Sequence, residues 1–293
     1  MTTNLSLSLT TGQPGQDSDD PVFTTVIRPD QGWAPLNLRA LWRYRELLYF
    51  LMWRDVKVRY KQTALGASWA VLRPVLTMVV FTVIFGHVAR IPSDGVPYPI
   101  FSYCGLLPWT FFAYAMGQAA DSLVGNANLI SKVYFPRLVI PIAASLAGLL
   151  DFAIAFVVLL GMMIVYGVTP TPAVITLPLF LLLALAAALA IGIWLSALSV
   201  QYRDVRYAVP FLTQLWLYAT PVAYPASLIR GKAHLIYSLN PMAGVVEGFR
   251  WAILGKGGLD GLSLALSGSM TGLVLLAGLF YFRRMEQRFA DVV

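Results

Sequence analysis

Few side chains in this sequence have the chemistry to react with anything. His87 and His234 are its only histidines and Cys104 its only cysteine, so no spacing assembles a metal-ligand set and no intramolecular disulfide can form. Binding and hydrolysing ATP requires a phosphate-cradling loop of the GxxxxGK[ST] type. Neither Gly231-Lys232 nor Gly255-Lys256 has the glycine before it or the Ser or Thr after it, so any ATP hydrolysis must be supplied by another subunit. Asp151 is the best-placed ionisable group inside an apolar run, while Asp121 lies near the end of one. An acid at membrane depth is costly and is kept for a function or a partner. Asp151 therefore reads as the proton relay of an ion-coupled transporter, as a bond to a neighbouring helix, or as a group facing a wet cavity near the outer half. A membrane-embedded glycosyl or acyl transferase would need an acid or base beside its substrate. Asp94, Glu247, Asp260 and the two histidines are widely spaced, which counts against that pair without excluding it. The pattern counts against catalysis, and no cofactor or metal of the chain's own is expected.

The elements that hold these residues follow from composition. Apolar residues make up 58% of 293 positions and charged residues 12%, against about 45–50% and 25% in soluble domains. The chain reads as an all-α, multi-pass membrane protein. Residues 1–36 are polar, with Asp17, Asp19 and Asp20 and neither a basic start nor an apolar core. They are expected to form a disordered cytoplasmic tail and not a cleavable signal. A bilayer core of about 30 Å takes about 20 residues at 1.5 Å each. Six runs qualify, near Ser68–Val88, Ile100–Val124, Leu138–Val165, Ala173–Val200, Tyr207–Tyr224 and Leu262–Phe282, the fifth interrupted by Pro210 and Pro221. Lys and Arg concentrate around Arg39–Lys61, Lys132, Arg137, Arg203, Arg206, Arg283, Arg284 and Arg288, with fewer at Arg90, Arg230, Lys232, Arg250 and Lys256. The positive-inside bias then places both termini in the cytoplasm.

Two further segments have patterns of their own. Over 37–64, helical periodicity gathers Leu41, Tyr44, Leu47, Leu48, Leu51, Met52, Val56 and Val58 on one face, opposite Arg43, Glu46, Arg54, Lys57 and Lys61. That is the pattern of an interfacial helix on a membrane surface, serving as a lipid anchor or as a docking surface for a cytoplasmic partner. Arg54, Lys57, Arg59 and Lys61 also stand where an anionic lipid head-group could enter. Between the fifth and sixth runs, Asn240-Pro241 reads as N-cap and first helical residue, with Gly255 as the stop. This helix is too short to span. With the apolar piece Ala233–Leu239 it forms a hairpin, within an external segment at about 225–261, that either dips into the outer leaflet or rests on the surface. Glu247 and Arg250, at i and i+3, are expected to pair. Aromatic residues are 13% of the chain. Most belong to interface belts and packing, while Trp109, Phe112, Trp216, Tyr218 and Tyr224 are candidates for lining a passage where ring faces meet sugars.

Five ordered pieces carry a resemblance: RDVKVRYKQTALGASWAVLRP (Arg54–Pro74), GLLPWTFF (Gly105–Phe112), NANLISKVYFPRLVIP (Asn126–Pro141), QYRDVRY with VPFLTQLWLYATPVAYP (to Pro225), and LNPM…VVEGFR (Leu239–Arg250). From about residue 37 onward the chain resembles the permease subunit of polysaccharide-exporting ABC transporters, the exporters of O-antigen, capsule and teichoic acid. The resemblance implies a homodimeric channel in the cytoplasmic membrane, two copies of a separate ATPase holding ATP and Mg, and a lipid-linked polysaccharide as cargo. It makes Arg43, Arg54, Lys57 and Lys61 part of an interface helix on that ATPase. It makes Asn128–Phe135 a coupling helix, with Asn128, Leu129, Ile130, Lys132, Tyr134, Phe135 and the following Arg137 as coupling residues. The hairpin with Asn240, Pro241, Glu247 and Arg250 becomes an external gate. An ABC exporter of a smaller lipid or drug has the same architecture.

Overall fold

A computed structural model describes residues 38–61, 68–229, 231–256 and 258–286; the expected tail over 1–36 lies outside them, as do Arg230 and Arg288. All described secondary structure is helical, with no strand among the described residues. In chain order the helices are α1 (Leu38–Arg43), α2 (Arg45–Lys61), α3 (Ser68–Phe81), α4 (Tyr98–Gly125), α5 (Ala127–Lys132) and α6 (Val139–Leu146). They continue as α7 (Gly148–Val165), α8 (Leu177–Gln201), α9 (Val205–Ala219), α10 (Lys232–Ser238), α11 (Pro241–Leu254) and α12 (Gly261–Glu286).

Four stretches are long and apolar enough to cross a membrane: Ser68–Val88, Val139–Val165, Pro172–Gln201 and Gly261–Glu286. They coincide with the first, third, fourth and sixth expected runs. Their outward faces carry Leu76, Val83, Val157, Ile164, Leu182, Leu273 and Phe280, all exposed, an apolar surface of the kind that lipid covers. The chain is a multi-pass membrane protein. The two remaining runs depart from expectation for different reasons. Helix α4, at 28 residues, has the length but is less apolar, because most of it is walled in by protein; Ser102, Tyr103, Cys104 and Ser122 are buried along it. Helix α9 has 15 residues, about 22 Å, and stops where Thr220 turns extended before Pro221, a residue with no N–H to continue a helix.

Small residues set the spacing of the bundle. A Cβ on Gly192 of α8 would lie 2.6 Å from the Ala119 Cβ of α4, and one on Gly278 of α12 would lie 2.8 Å from the carbonyl oxygen of Ala190. These glycines let α8 approach both neighbours closely, which is how apolar helices gain contact energy in lipid. A large core centres on α4, with Tyr103, Phe112 and Phe249 fully buried. A second cluster gathers Leu51 of α2, Leu123 of α4, Ile130 of α5, Phe135, Ile140 of α6, Ala197 of α8 and Phe282 of α12. That cluster joins α2 and α5 to the ends of the long helices.

Candidate functional site

The basic helix and the short helix after α4 meet in one layer. On α1–α2, Leu41, Tyr44, Leu47, Leu48, Leu51, Met52 and Val56 face inward as the periodicity predicts, but Val58 is 63% exposed. The outward face holds Arg43, Glu46, Lys57 and Lys61 together with Trp42, Tyr49, Phe50 and Trp53, so it is aromatic as well as charged. The Lys57 ammonium lies 5.7 Å from the Trp53 ring centre, and Phe50, Trp53, Arg54, Lys57, Val58 and Lys61 line an open groove of about 360 Å³. Arg54 is half-buried: it pairs with Asp55 at 2.8 Å and donates to the Asn126 side-chain oxygen, also at 2.8 Å. Asn126 stands between α4 and α5, so Arg54 fastens the basic helix to the base of the candidate coupling helix.

That helix is shorter than expected, ending at Lys132; Val133 is already extended, and Pro136 precedes the next helix without ending this one. Asn128, Lys132 and Tyr134 are exposed, Tyr134 by 79%. Leu129 and Ile130 turn inward, and Phe135 is 5% exposed within the second core cluster. Phe135 therefore holds the segment against the bundle, leaving Tyr134 as its exposed aromatic. Arg137 also turns inward: its guanidinium donates to the main-chain carbonyl of Glu286 at the end of α12.

Asp151 sits in the first turn of α7 with partners the sequence does not announce. Arg59 and the Tyr60 hydroxyl, both on α2, donate to its two carboxylate oxygens, and the Arg59 guanidinium lies 3.9 Å from the Tyr114 ring centre. Burial and the bond to Asp151 push the Tyr60 phenol above its ordinary pKa, so it stays protonated and donating. A carboxylate held this way is a bond between helices, one of its sequence readings, and not a group facing a wet cavity near the outer half. The separation of 92 positions between Arg59 and Asp151 puts the pairing beyond any local pattern; the one hint is an intramembrane acid that needs a cation. In this arrangement Arg59 is committed to Asp151 and not open to an entering head-group.

Among the candidate passage aromatics, Trp109 and Phe112 are buried and pack against Trp216, with ring centres 6.3 and 5.3 Å from it. They cement α4 to α9. Tyr218 is 51% exposed, and the hydroxyl of half-buried Tyr224 donates to the Tyr218 carbonyl.

The segment after α9 forms the expected helical hairpin, α10 followed by α11. Asn240 caps α11 by accepting from the Met242 amide at 3.0 Å, Pro241 takes the first turn, and Gly255 ends the helix at φ 64°. Asn240 also accepts from the Trp216 indole at 3.1 Å, and the single hydroxyl hydrogen of Ser267 on α12 is shared between the carbonyls of Ser238 and Asn240, each 2.9 Å from its Oγ. Almost all of α11 is buried, whereas Leu235 and Ile236 of α10 and the following Leu239 are exposed. The expected Glu247–Arg250 pair is absent. Arg250 turns away and donates to four carbonyls: Pro221 at 2.5 Å, Val222 at 2.6 Å, Tyr224 at 3.3 Å and Phe101 at 3.4 Å. The turn after α9 exposes carbonyls that no helix can satisfy, and they outbid a carboxylate one helical turn away. Glu247 borders a pocket of about 250 Å³ with Asp94, His234, Lys256 and Asp260. Its buried Oε1 has no hydrogen-bond partner among the described residues. Burial raises its carboxyl pKa to about 7, with Arg250 opposing.

Residues 46–254 match the model of the ABC-2 type transporter membrane family. The chain belongs to this family. It is 32% identical over 259 residues to the O-antigen export system permease protein RfbA of Myxococcus xanthus, covering 87% of this chain and 98% of that one. It is 31% identical over 250 residues to the RfbA of Klebsiella pneumoniae, covering 85% and 95%. Against the polysialic acid transport protein KpsM of Escherichia coli it is 27% identical over 243 residues, covering 81% and 92%.

Proposed function

We propose that this chain is the membrane subunit of an ATP-driven exporter that moves lipid-linked polysaccharide across the cytoplasmic membrane. Two copies would form the channel, and two copies of a separate ATPase would carry ATP and Mg. The observation that carries this reading is the similarity to export permeases over 98% of a relative's length. The exposed Asn128, Lys132 and Tyr134, fastened beside the basic helix, support it: they give a partner ATPase a surface to push. The uncovered Tyr207, Phe211, Leu212, Leu215 and Tyr218 of α9 leave an apolar face for a second copy.

In this reading all six runs cross or enter the bilayer. Helix α4 crosses inside a protein sheath, and α9 is completed by the turn at Thr220–Pro225. Both termini are cytoplasmic, and the α10–α11 hairpin dips in from outside as a gate. Closure of the ATPases would press on α2 and α5 and change the separation of the two permease halves. Lys57 and Lys61, exposed beside Trp53, are the cations best placed to meet a phosphate head-group. Nothing favours the ion-coupled alternative, since its carboxylate is engaged by Arg59 and Tyr60.

The test is co-purification with a Walker-motif ATPase, then ATP hydrolysis in lipid with and without lipid-linked polysaccharide. A stable complex whose hydrolysis responds to the glycolipid is expected. A chain that binds no ATPase and still moves a solute would refute the reading. For the head-group, Lys57→Glu with Lys61→Glu should abolish export without loss of assembly; intact export would remove these lysines from substrate entry.

A further inference from the structure

We propose that Arg59 and Asp151 are positioning residues for transport, forming the tie by which movement of the ATPase-facing layer reaches the membrane-crossing helices. The inference rests on the exporter reading above.

Helix α2 packs its apolar face on α6, with Leu51 inside the cluster that holds Ile140 and Ala143. Apolar contact of this kind resists separation but has no direction, so it transmits sliding poorly. Two polar anchors fix the register instead, five residues apart on the same helix. At the near anchor, Arg54 donates to Asn126 at the root of α5. At the far anchor, Arg59 and Tyr60 converge on Asp151. The far anchor lies where the third run changes helix. Ala147 separates α6 from α7, and Gly148 follows it. A Cβ on Gly148 would stand 2.5 Å from Cδ1 of Tyr114, so the Tyr114 ring is seated directly against this junction. The Arg59 guanidinium covers the same ring at 3.9 Å.

The body of α2 thus bears on α6, its tip is bonded to α7, and its middle is bonded to the base of α5. A push delivered to α5 and α2 reaches the start of α7 through the Arg59–Asp151 ion pair, reinforced by the Tyr60 hydroxyl. The side chains of Arg59 and Asp151 are 34% and 26% exposed, sheltered enough for the pair to outlast screening by salt.

The complex with its ATPase, in liposomes containing lipid-linked polysaccharide, gives the decisive readout: polysaccharide exported per ATP hydrolysed. Asp151→Asn and Arg59→Gln should each lower that ratio by about tenfold, a coupling within the range contacting residues show, while hydrolysis and co-purification stay near wild type. The reversed pair, Arg59→Asp with Asp151→Arg, should recover most of the loss. Singles that keep the wild-type ratio, or a reversed pair no better than the singles, would overturn the tie. Should the charge variants fail to assemble, Tyr60→Phe removes only a hydroxyl. It should lower the ratio by roughly threefold with assembly intact, and an unchanged ratio would equally overturn the proposal. A wild-type complex that assembles but exports no polysaccharide refutes the exporter reading itself, an outcome distinct from any pattern among the variants.

Discussion

Replacing Arg250 with Met should destabilise the protein more than almost any other single change outside the apolar core. Arg250 is 5% exposed and stacks on Phe101 at 3.7 Å. Its two short bonds, to Pro221 and Val222, are charge-assisted and contribute about 1.5–3 kcal/mol each. The longer pair, to Tyr224 and Phe101, adds little at that distance. Methionine keeps the contact with Phe101 and spares the burial of a charge, which offsets part of the loss. It leaves the turn carbonyls without a donor. The net cost is about 3 kcal/mol, a fall of roughly 5–10 °C in the unfolding midpoint for a chain of this size. Thermal unfolding in detergent, followed by far-UV circular dichroism, measures it. Gly105→Ala is an independent route to the same site, because its Cβ would stand 2.7 Å from the Arg250 Nη2; displacing the guanidinium should cost about 1–3 kcal/mol. In the Arg250→Met background the same alanine should be nearly neutral, since the clash is gone. An Arg250→Met midpoint within about 2 °C of wild type, or full additivity of the two changes, would refute the clasp.

Tyr134 and Phe135, adjacent in sequence, should behave oppositely. Tyr134→Ala is expected to leave the unfolding midpoint unchanged and to cut polysaccharide-stimulated ATP hydrolysis in the complex, whereas Phe135→Ala should cost about 3–5 kcal/mol of stability; equal effects on stability would show that the exposure difference does not matter. Gly248→Ala brings a Cβ to 2.1 Å from Cε1 of Phe180, wedging α11 from α8. It should lower stability by about 1–3 kcal/mol, while Gly268→Ala, with nothing within 4 Å, should not. The Glu247 carboxyl, with its pKa raised to about 7 in the folded protein from 4.5, binds a proton there that the unfolded chain has already released. Stability should therefore fall as pH rises from about 4.5 to 7 and level off above that. Glu247→Gln should flatten the fall when unfolding midpoints are compared across that window, and a variant with the wild-type slope would assign the dependence elsewhere.

Much of this protein is legible in the sequence because its rules are local. Lipid demands uninterrupted apolar length, so the spans from Ser68, Val139, Pro172 and Gly261 follow from counting residues. Caps act within one turn, so Asn240-Pro241 and Gly255 mark both ends of α11 correctly. The inward stripe from Leu41 to Val56 follows from helical periodicity. Where neighbours decide, the sequence is silent. Helix α4 hides its polar and aromatic residues only because other helices surround it, and α9 stops short because the chain turns at Pro221. Phe135 and Tyr134 are equally good candidates for a partner's cleft until packing turns one inward. The charged side chains show the limit most clearly. Arg250 passes over the carboxylate one turn away for carbonyls brought in from α4 and the turn after α9, and Asp151 finds its cation 92 residues back along the chain. Sequence spacing determines which charges can meet along one helix. Only the tertiary structure decides which buried carbonyl or carboxylate would otherwise go unsatisfied, and that deficit is what places a buried charge.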